Sequence, residues 1–259
     1  SSAASDVYKR QVISKAPSTD GGSGKLNVTF GDYDLKKVTT SNNFVINDKI
    51  ATRLSLASTT RDGFSKNVVT GQDLDDANSK GFRSDWMFNL NDTSSLRVFG
   101  QYFKVDRNGA AIRGIDDQTP GMRNLSQDTV SQHELSSMVI AAIYESDLGF
   151  ANLKAIASIQ EDDILVVRDN DRHNYLDPVL AIEGLPAGST YQRAEFTPET
   201  SLVDTTTLEI NLISNEPALS GKLDWTVGAF YMEHEIENTI RGYRDDDLDG
   251  RIKYLCDES

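Results

Sequence analysis

Apolar and polar residues alternate one by one along most of this chain, in segments too long for an ordinary globular sheet. Ile50, Leu54 and Leu56 are apolar, and polar Arg53 and Ser55 lie between them. Phe82, Trp86, Phe88 and Leu90 alternate with Arg83, Asp85 and Asn89; Leu96, Val98 and Tyr102 alternate with Arg97 and Gln101. The phase returns in Leu208, Ile210 and Leu212 against Glu209 and Asn211, and in Leu223, Trp225, Val227 and Tyr231 against Asp224 and Thr226. Side chains of a strand point alternately to its two faces, so period two predicts strands with one apolar and one polar face. Nine strands are expected, over 24–33, 36–46, 49–60, 80–90, 95–106, 134–145, 150–163, 200–214 and 222–236. Two are less regular: 138–144 is apolar on both phases and 151–159 is rich in alanine. Globular strands average ~5–6 residues, whereas a tilted strand crossing a bilayer needs ~9–11.

The connections narrow the fold further. Asn47-Asp48, 91–94, 146–149 and 215–221 read as short turns; 61–79, 107–133, 164–199 and 237 onward are long. After an opening hairpin at 32–34, short and long connections alternate. That asymmetry belongs to an up-and-down barrel with short turns at one rim and long loops at the other. Aromatic residues agree, with Phe88, Tyr144 and Trp225 near short-turn ends and Phe82, Tyr102 and Tyr231 near long-loop ends, all on the apolar phase. The expected fold is all-β: an antiparallel up-and-down transmembrane β-barrel, here partial, about nine strands of a larger barrel. Single-chain bacterial barrels carry an even number of strands, and unpaired strand edges do not persist in hydrocarbon, so nine strands imply others elsewhere.

Composition sets the outer limits. Net charge is -14 and pI about 4.6, a balance that repels phosphate backbones and argues against nucleic acid. Mean hydropathy of -0.44 does not oppose a barrel, because lumen-facing positions are polar. The single cysteine, Cys256, forms no internal disulfide. Residues 1–11 lack the apolar stretch of a signal peptide, and they read as foreign or unstructured sequence.

Residues 12–17, Val-Ile-Ser-Lys-Ala-Pro, resemble the end of the plug domain in TonB-dependent outer-membrane receptors. GKLNVTFGDY over 24–33 looks like the first barrel strand; Asn47-Asp48-Lys49 with Ala51 and Arg53 looks like the first short turn and third strand. Arg61-Asp62-Gly63-Phe64 with Asn67, then Gly71, Asp73, Leu74 and Arg83, continue the likeness, and 223–231 (LDWTVGAFY) resembles a later strand. The resemblance implies 12–23 as plug terminus and linker and 24–259 as the N-terminal portion of the barrel. It implies active uptake of a scarce nutrient, most often a ferric siderophore, across the bacterial outer membrane. The larger barrel would be plugged, and the energising partner would be the TonB complex, acting through an N-terminal part of the plug expected to precede residue 12. No catalysis is expected. A plugless porin would share the strands without the plug terminus; a soluble β-rich glycan-binding module would have to fold by itself.

Among local motifs the sharpest is 245–252, DDDLDGRI. Asp245, Asp247 and Asp249 stand at positions 1, 3 and 5 of a calcium loop, with Gly250 at 6. Cys256 replaces the bidentate glutamate of position 12, so structural calcium competes here with a solvated acidic loop, and no cofactor is otherwise required. Glu161-Asp162-Asp163 and 169–171 read as a solvated acidic face at a strand end. His133, His173 and His234 match no zinc spacing, and 21–24 (GGSG) lacks the Lys-Ser/Thr of a phosphate loop. Ligand contacts are expected in the loops 107–133 and 164–199.

Overall fold

The computed structural model describes residues 14–115, 117–170, 172, 174, 194–217, 223–245 and 253–258. The nine expected strands all form: β1 (Ser23–Gly31), β2 (Leu35–Val45), β3 (Ile50–Arg61), β6 (Ala77–Asn89), β7 (Ser94–Arg107), β9 (Gln132–Asp147), β10 (Ala151–Asp169), β11 (Ala194–Ser214) and β12 (Thr226–Asp245). A tenth, β13 (Lys253–Glu258), completes one sheet in which every neighbour is the next strand along the main path and every pairing is antiparallel. The sheet is open, with β1 and β13 at its edges.

Three short turns use one device. Asn47 Oδ1 accepts the backbone N–H of Lys49 and Ile50, Asn91 Oδ1 that of Thr93, and Asp147 Oδ1 that of Gly149. A side-chain oxygen that mimics a backbone acceptor closes the chain within a few residues.

At the other end the strands run past their expected limits. β10 continues to Asp169 instead of 163, β11 begins at Ala194 instead of 200, and β12 reaches Asp245 instead of 236. Glu161, Asp162 and Asp163 therefore lie inside β10, not at a strand end. Period two fades there for a physical reason. Ile164, Leu165, Val166 and Val167 are apolar on both phases, and 237–239 (ENT) is polar on both.

The apolar face shows how the sheet sits. Followed through the cross-strand partners, the row starting at Val28 passes Val38, Ser58, Lys80, Lys104, Ser136, Asp163 and Leu202 and ends at Glu237. Its first members are apolar and most of its later ones polar or charged. The apolar stretch of that face is Leu26 to Phe30 on β1, Phe82 to Phe88 on β6, and Val227 to Tyr231 on β12. The band crosses the hydrogen-bond register obliquely, as it must when strands tilt ~35–45° against a level slab of hydrocarbon. Tyr231, expected near the long-loop end, is the sixth of the twenty residues of β12 and stands nearer the short-turn end, at the margin of the band. Leu26, Phe30, Leu56, Phe82, Tyr102, Leu208, Val227 and Tyr231 are all exposed, and buried apolar side chains are few among the described residues.

The loops 62–76 and 108–131 carry structure of their own. β4 (Ser65–Asn67) pairs antiparallel with β5 (Asp73–Leu74) and parallel with β8 (Asn124–Leu125), which makes a small second sheet over the long-loop rim.

Candidate functional site: the polar wall, its docked segment and the loop cap

On the polar phase of β3, β6 and β7 the register brings charges together. Arg53 lies opposite both Asn43 of β2 and Asp85 of β6. Asp85, 1% exposed at its side chain, receives two bonds from Arg97 (Nε to Oδ1, 2.9 Å; Nη2 to Oδ2, 2.6 Å) and two from Arg83 to Oδ2 (Nη2, 3.1 Å; Nε, 3.4 Å). The planar guanidinium fork of Arg97 fits the carboxylate edge, the geometry that makes such pairs strong. Arg83 also lies over the ring of Phe99, 3.7 Å from its centroid.

The segment preceding β1 is fastened to this wall. Asn43 is saturated: its Nδ2 donates to the carbonyls of Ser18 (2.8 Å) and Gly21 (2.9 Å), and its Oδ1 accepts from the Ser18 N–H (3.0 Å) and from Arg53 (3.3 Å). Arg53 Nε donates to the Ala16 carbonyl, Arg97 to the Ser14 hydroxyl at 3.1 Å, and Asn89 to the Thr19 hydroxyl. Residues 14–21 thus cross four wall strands on the polar face, towards the short-turn rim. Asn43→Ala is expected to free this segment. It removes every wall bond of Ser18 and Gly21, each worth about 1 kcal/mol. Hydrogen exchange at the Ser18 amide should accelerate on the order of tenfold or more; unchanged exchange would mean the clamp lies elsewhere.

The cap is held by buried polar pairs and two leucines. Leu74 and Leu125 are each 1% exposed, and Asn67 beside them is buried. Asn67 Nδ2 donates to the Gln127 carbonyl (2.9 Å) and its Oδ1 accepts the Gln127 N–H. Gln72 and Ser131 exchange a reciprocal pair. Gly63 makes the close approach: a Cβ there would stand 2.4 Å from the Leu74 carbonyl oxygen, a backbone clash. Asp117 organises the next turn. Burial pushes its carboxyl up, but hydrogen bonds from Thr119 and from the Ser126 N–H, with Arg113 alongside, outweigh that and hold it below the ordinary 3.8. A carboxyl depressed by folding contributes stability above its unfolded value and loses it as pH falls through the folded one. Exchange protection around 117–126 is therefore expected to be flat from about pH 5 upward and to fall below 3.8. Loss already at neutral pH would contradict this.

Over the rim an aromatic ring has two guanidinium groups beside it. Arg61 and Arg123 lie 4.9 and 4.8 Å from the Phe64 ring centroid, Tyr33 packs on Phe64 at 5.7 Å, and Arg123 donates to the Tyr33 hydroxyl at 3.0 Å. Tyr33 and Asp34 both have positive φ (58° and 53°), the shape of a tight hairpin turn normally given to asparagine and glycine. Neither Arg61 nor Arg123 has a carboxylate partner among the described residues. The arrangement presents positive charge and π-surface together, chemistry suited to an anionic aromatic ligand.

Of the residues expected to hold calcium, Asp245 is the last of β12, while Asp247 and Asp249 lie outside the described residues. Cys256 is in β13, opposite Gly242. Among the described residues no group of three or more His, Cys, Asp or Glu could hold a metal. His133 accepts from Arg107 at 2.9 Å, His234 bonds Thr205 at 2.8 Å, and His173 lies outside the described residues. Gly21 ends the docked segment, Gly22 follows it, and Ser23 and Gly24 open β1. Of the two loops expected to carry ligand contacts, 108–131 forms much of the cap, and most of 170–193 lies outside the described residues. The Asp85 cluster and the Asn43 clamp carry no sequence signature beyond charged residues on the polar phase.

An up-and-down sheet of tilted strands, apolar outside and polar inside, is the wall of a membrane β-barrel. No family model matches the chain, and no curated protein does. Among solved structures it is similar to the siderophore receptor PiuA from Acinetobacter baumannii, with a TM-score of 0.55 and 15% identity. The likeness covers 93% of this chain and 34% of that receptor, so the chain spans about a third of its length. At this identity the likeness concerns the fold.

Proposed function

We propose that this chain is the first part of the wall of a TonB-dependent outer-membrane transporter for active uptake of a scarce nutrient, with a ferric siderophore as the ligand class. The observation that carries the reading is the docked segment. Residues 14–21 lie on the polar face and are bonded to β2, β3, β6 and β7. A plug that leads into its barrel from inside needs such an entry, and a plugless porin does not. The cap and the cluster of Tyr33, Arg61, Phe64 and Arg123 support an anionic, aromatic ligand met at the long-loop rim. No catalytic step belongs to this reading. Calcium at Asp245, Asp247 and Asp249 would be an accessory brace of an external turn.

The test is uptake of radiolabelled ferric siderophores by iron-starved cells with and without the full-length gene, each with and without TonB. Uptake that requires both supports the transporter. A protein that instead passes small solutes without TonB or a proton-motive force would be a porin, and the proposal would fail.

A further inference from the structure

We propose that the outward faces of β6 and β7 bind the phosphomonoester headgroup of a membrane lipid in the leaflet at the long-loop rim; the inference rests on the reading of this sheet as a membrane wall. Lys80 and Lys104 are direct cross-strand partners. Like charges placed directly opposite destabilise a sheet, and neither lysine forms an ion pair among the described residues. In the same row Ser58 flanks Lys80 and Ser136 flanks Lys104. Four adjacent strands therefore present the sequence hydroxyl, ammonium, ammonium, hydroxyl, and all four can donate to phosphate oxygens.

The height of this strip fits a headgroup. One pleat inward, the partners Leu56, Phe82, Tyr102 and Met138 form the margin of the apolar band. Phe82 and Tyr102 are 45% and 46% exposed on that face. One pleat outward stand Asn78, Asp106 and Glu134, polar or acidic. An outward groove of about 420 Å³, lined by Val38, Leu56, Phe82 and Tyr102, reaches Lys80 at its edge. An acyl chain against the groove places its headgroup beside the two ammonium groups. Flexible lysine stems lie along apolar surface and hold their charge at the interface. The carboxylates beyond repel an anion, which fixes its level at the lysine row.

The test uses the full-length protein in detergent, titrated with dioleoyl phosphatidic acid and, separately, dioleoyl phosphatidylcholine, with bound lipid counted by native mass spectrometry. Each lysine should contribute about fivefold, so K80Q/K104Q is expected to bind phosphatidic acid about 25-fold more weakly. Phosphatidylcholine binding should be unchanged, and K49Q, at the opposite rim, should match wild type. Equal binding of phosphatidic acid by wild type and K80Q/K104Q overturns the lipid site and leaves the transporter reading intact. If the protein never partitions into membranes, both fall.

Discussion

Asp85→Ala is expected to lower the stability of the full-length protein by about 3–5 kcal/mol, the loss typical when one partner of a buried ion pair is removed. Asp85 is almost completely enclosed, and the side chains of Arg83 and Arg97 are only 19% and 15% exposed. Removal of the carboxylate leaves two guanidinium groups side by side with Arg53 opposite, and neither Arg83 nor Arg97 forms another ion pair among the described residues. Desolvated charge without a counter-charge is the costly state, whereas deletion of charge and partner together is much less so. Asp85→Leu combined with Arg97→Met should therefore recover a large part of the loss, although Arg83 keeps its charge. The wall bond to Ser14 comes from Arg97, so Asp85→Ala should also loosen the docked segment. Denaturant midpoints of the three proteins in one detergent test this. A fall of less than about 1 kcal/mol for Asp85→Ala would mean that water reaches the arginines, as at an exposed pair.

Leu125→Ala is expected to remove about 2–5 kcal/mol from the cap, the usual range for truncation of a buried leucine. Leu125 and Leu74 are the largest apolar side chains fully buried among the described residues. The pairing of β8 with β4 also runs through this residue, since the Val68 N–H donates to the Leu125 carbonyl and the Lys66 N–H to that of Arg123. A sheet of three short strands has little else apolar to hold it. The variant should lose exchange protection over 65–74 and 124–127 while the wall strands keep theirs. Arg123 would lose its fixed place beside Phe64, so under the proposed uptake function siderophore affinity should weaken without loss of folding. Leu125→Met, which nearly conserves volume, should cost less than about 1.5 kcal/mol. If Leu125→Ala instead unfolds β3 and β6, the cap and wall are one cooperative unit.

The register that unites Arg53, Asp85 and Arg97 also explains why the sequence left this cluster unread. Arg83 and Asp85 stand two residues apart and announce themselves as a pair on one face. Arg97 is twelve residues further on and meets Asp85 only because the turn at 90–93 sets one alignment out of several. A shift of one residue would turn every side chain of the strand to the other face. Asn43 reads as one more polar strand residue until the chain folds back and places Ser18 and Gly21 against it. The cap was hidden for a related reason. Strands of two or three residues carry no period, and a parallel pairing between β4 and β8, more than fifty residues apart, has no local signal.

The sequence by itself determined the number of strands in the main sheet to within one among the described residues, the faces, the antiparallel order and the rim that bears long loops. All of these follow from side chains that alternate against two different solvents on the two sides of one sheet, a constraint written into every second residue. Tertiary structure alone decided how far β10, β11 and β12 rise past the apolar band, because beyond it both faces meet water and the alternation stops. It alone decided the oblique course of that band across the register, the Asp85 ion cluster, the docking of 14–21 and the folded cap, because each depends on contacts between residues far apart in the chain.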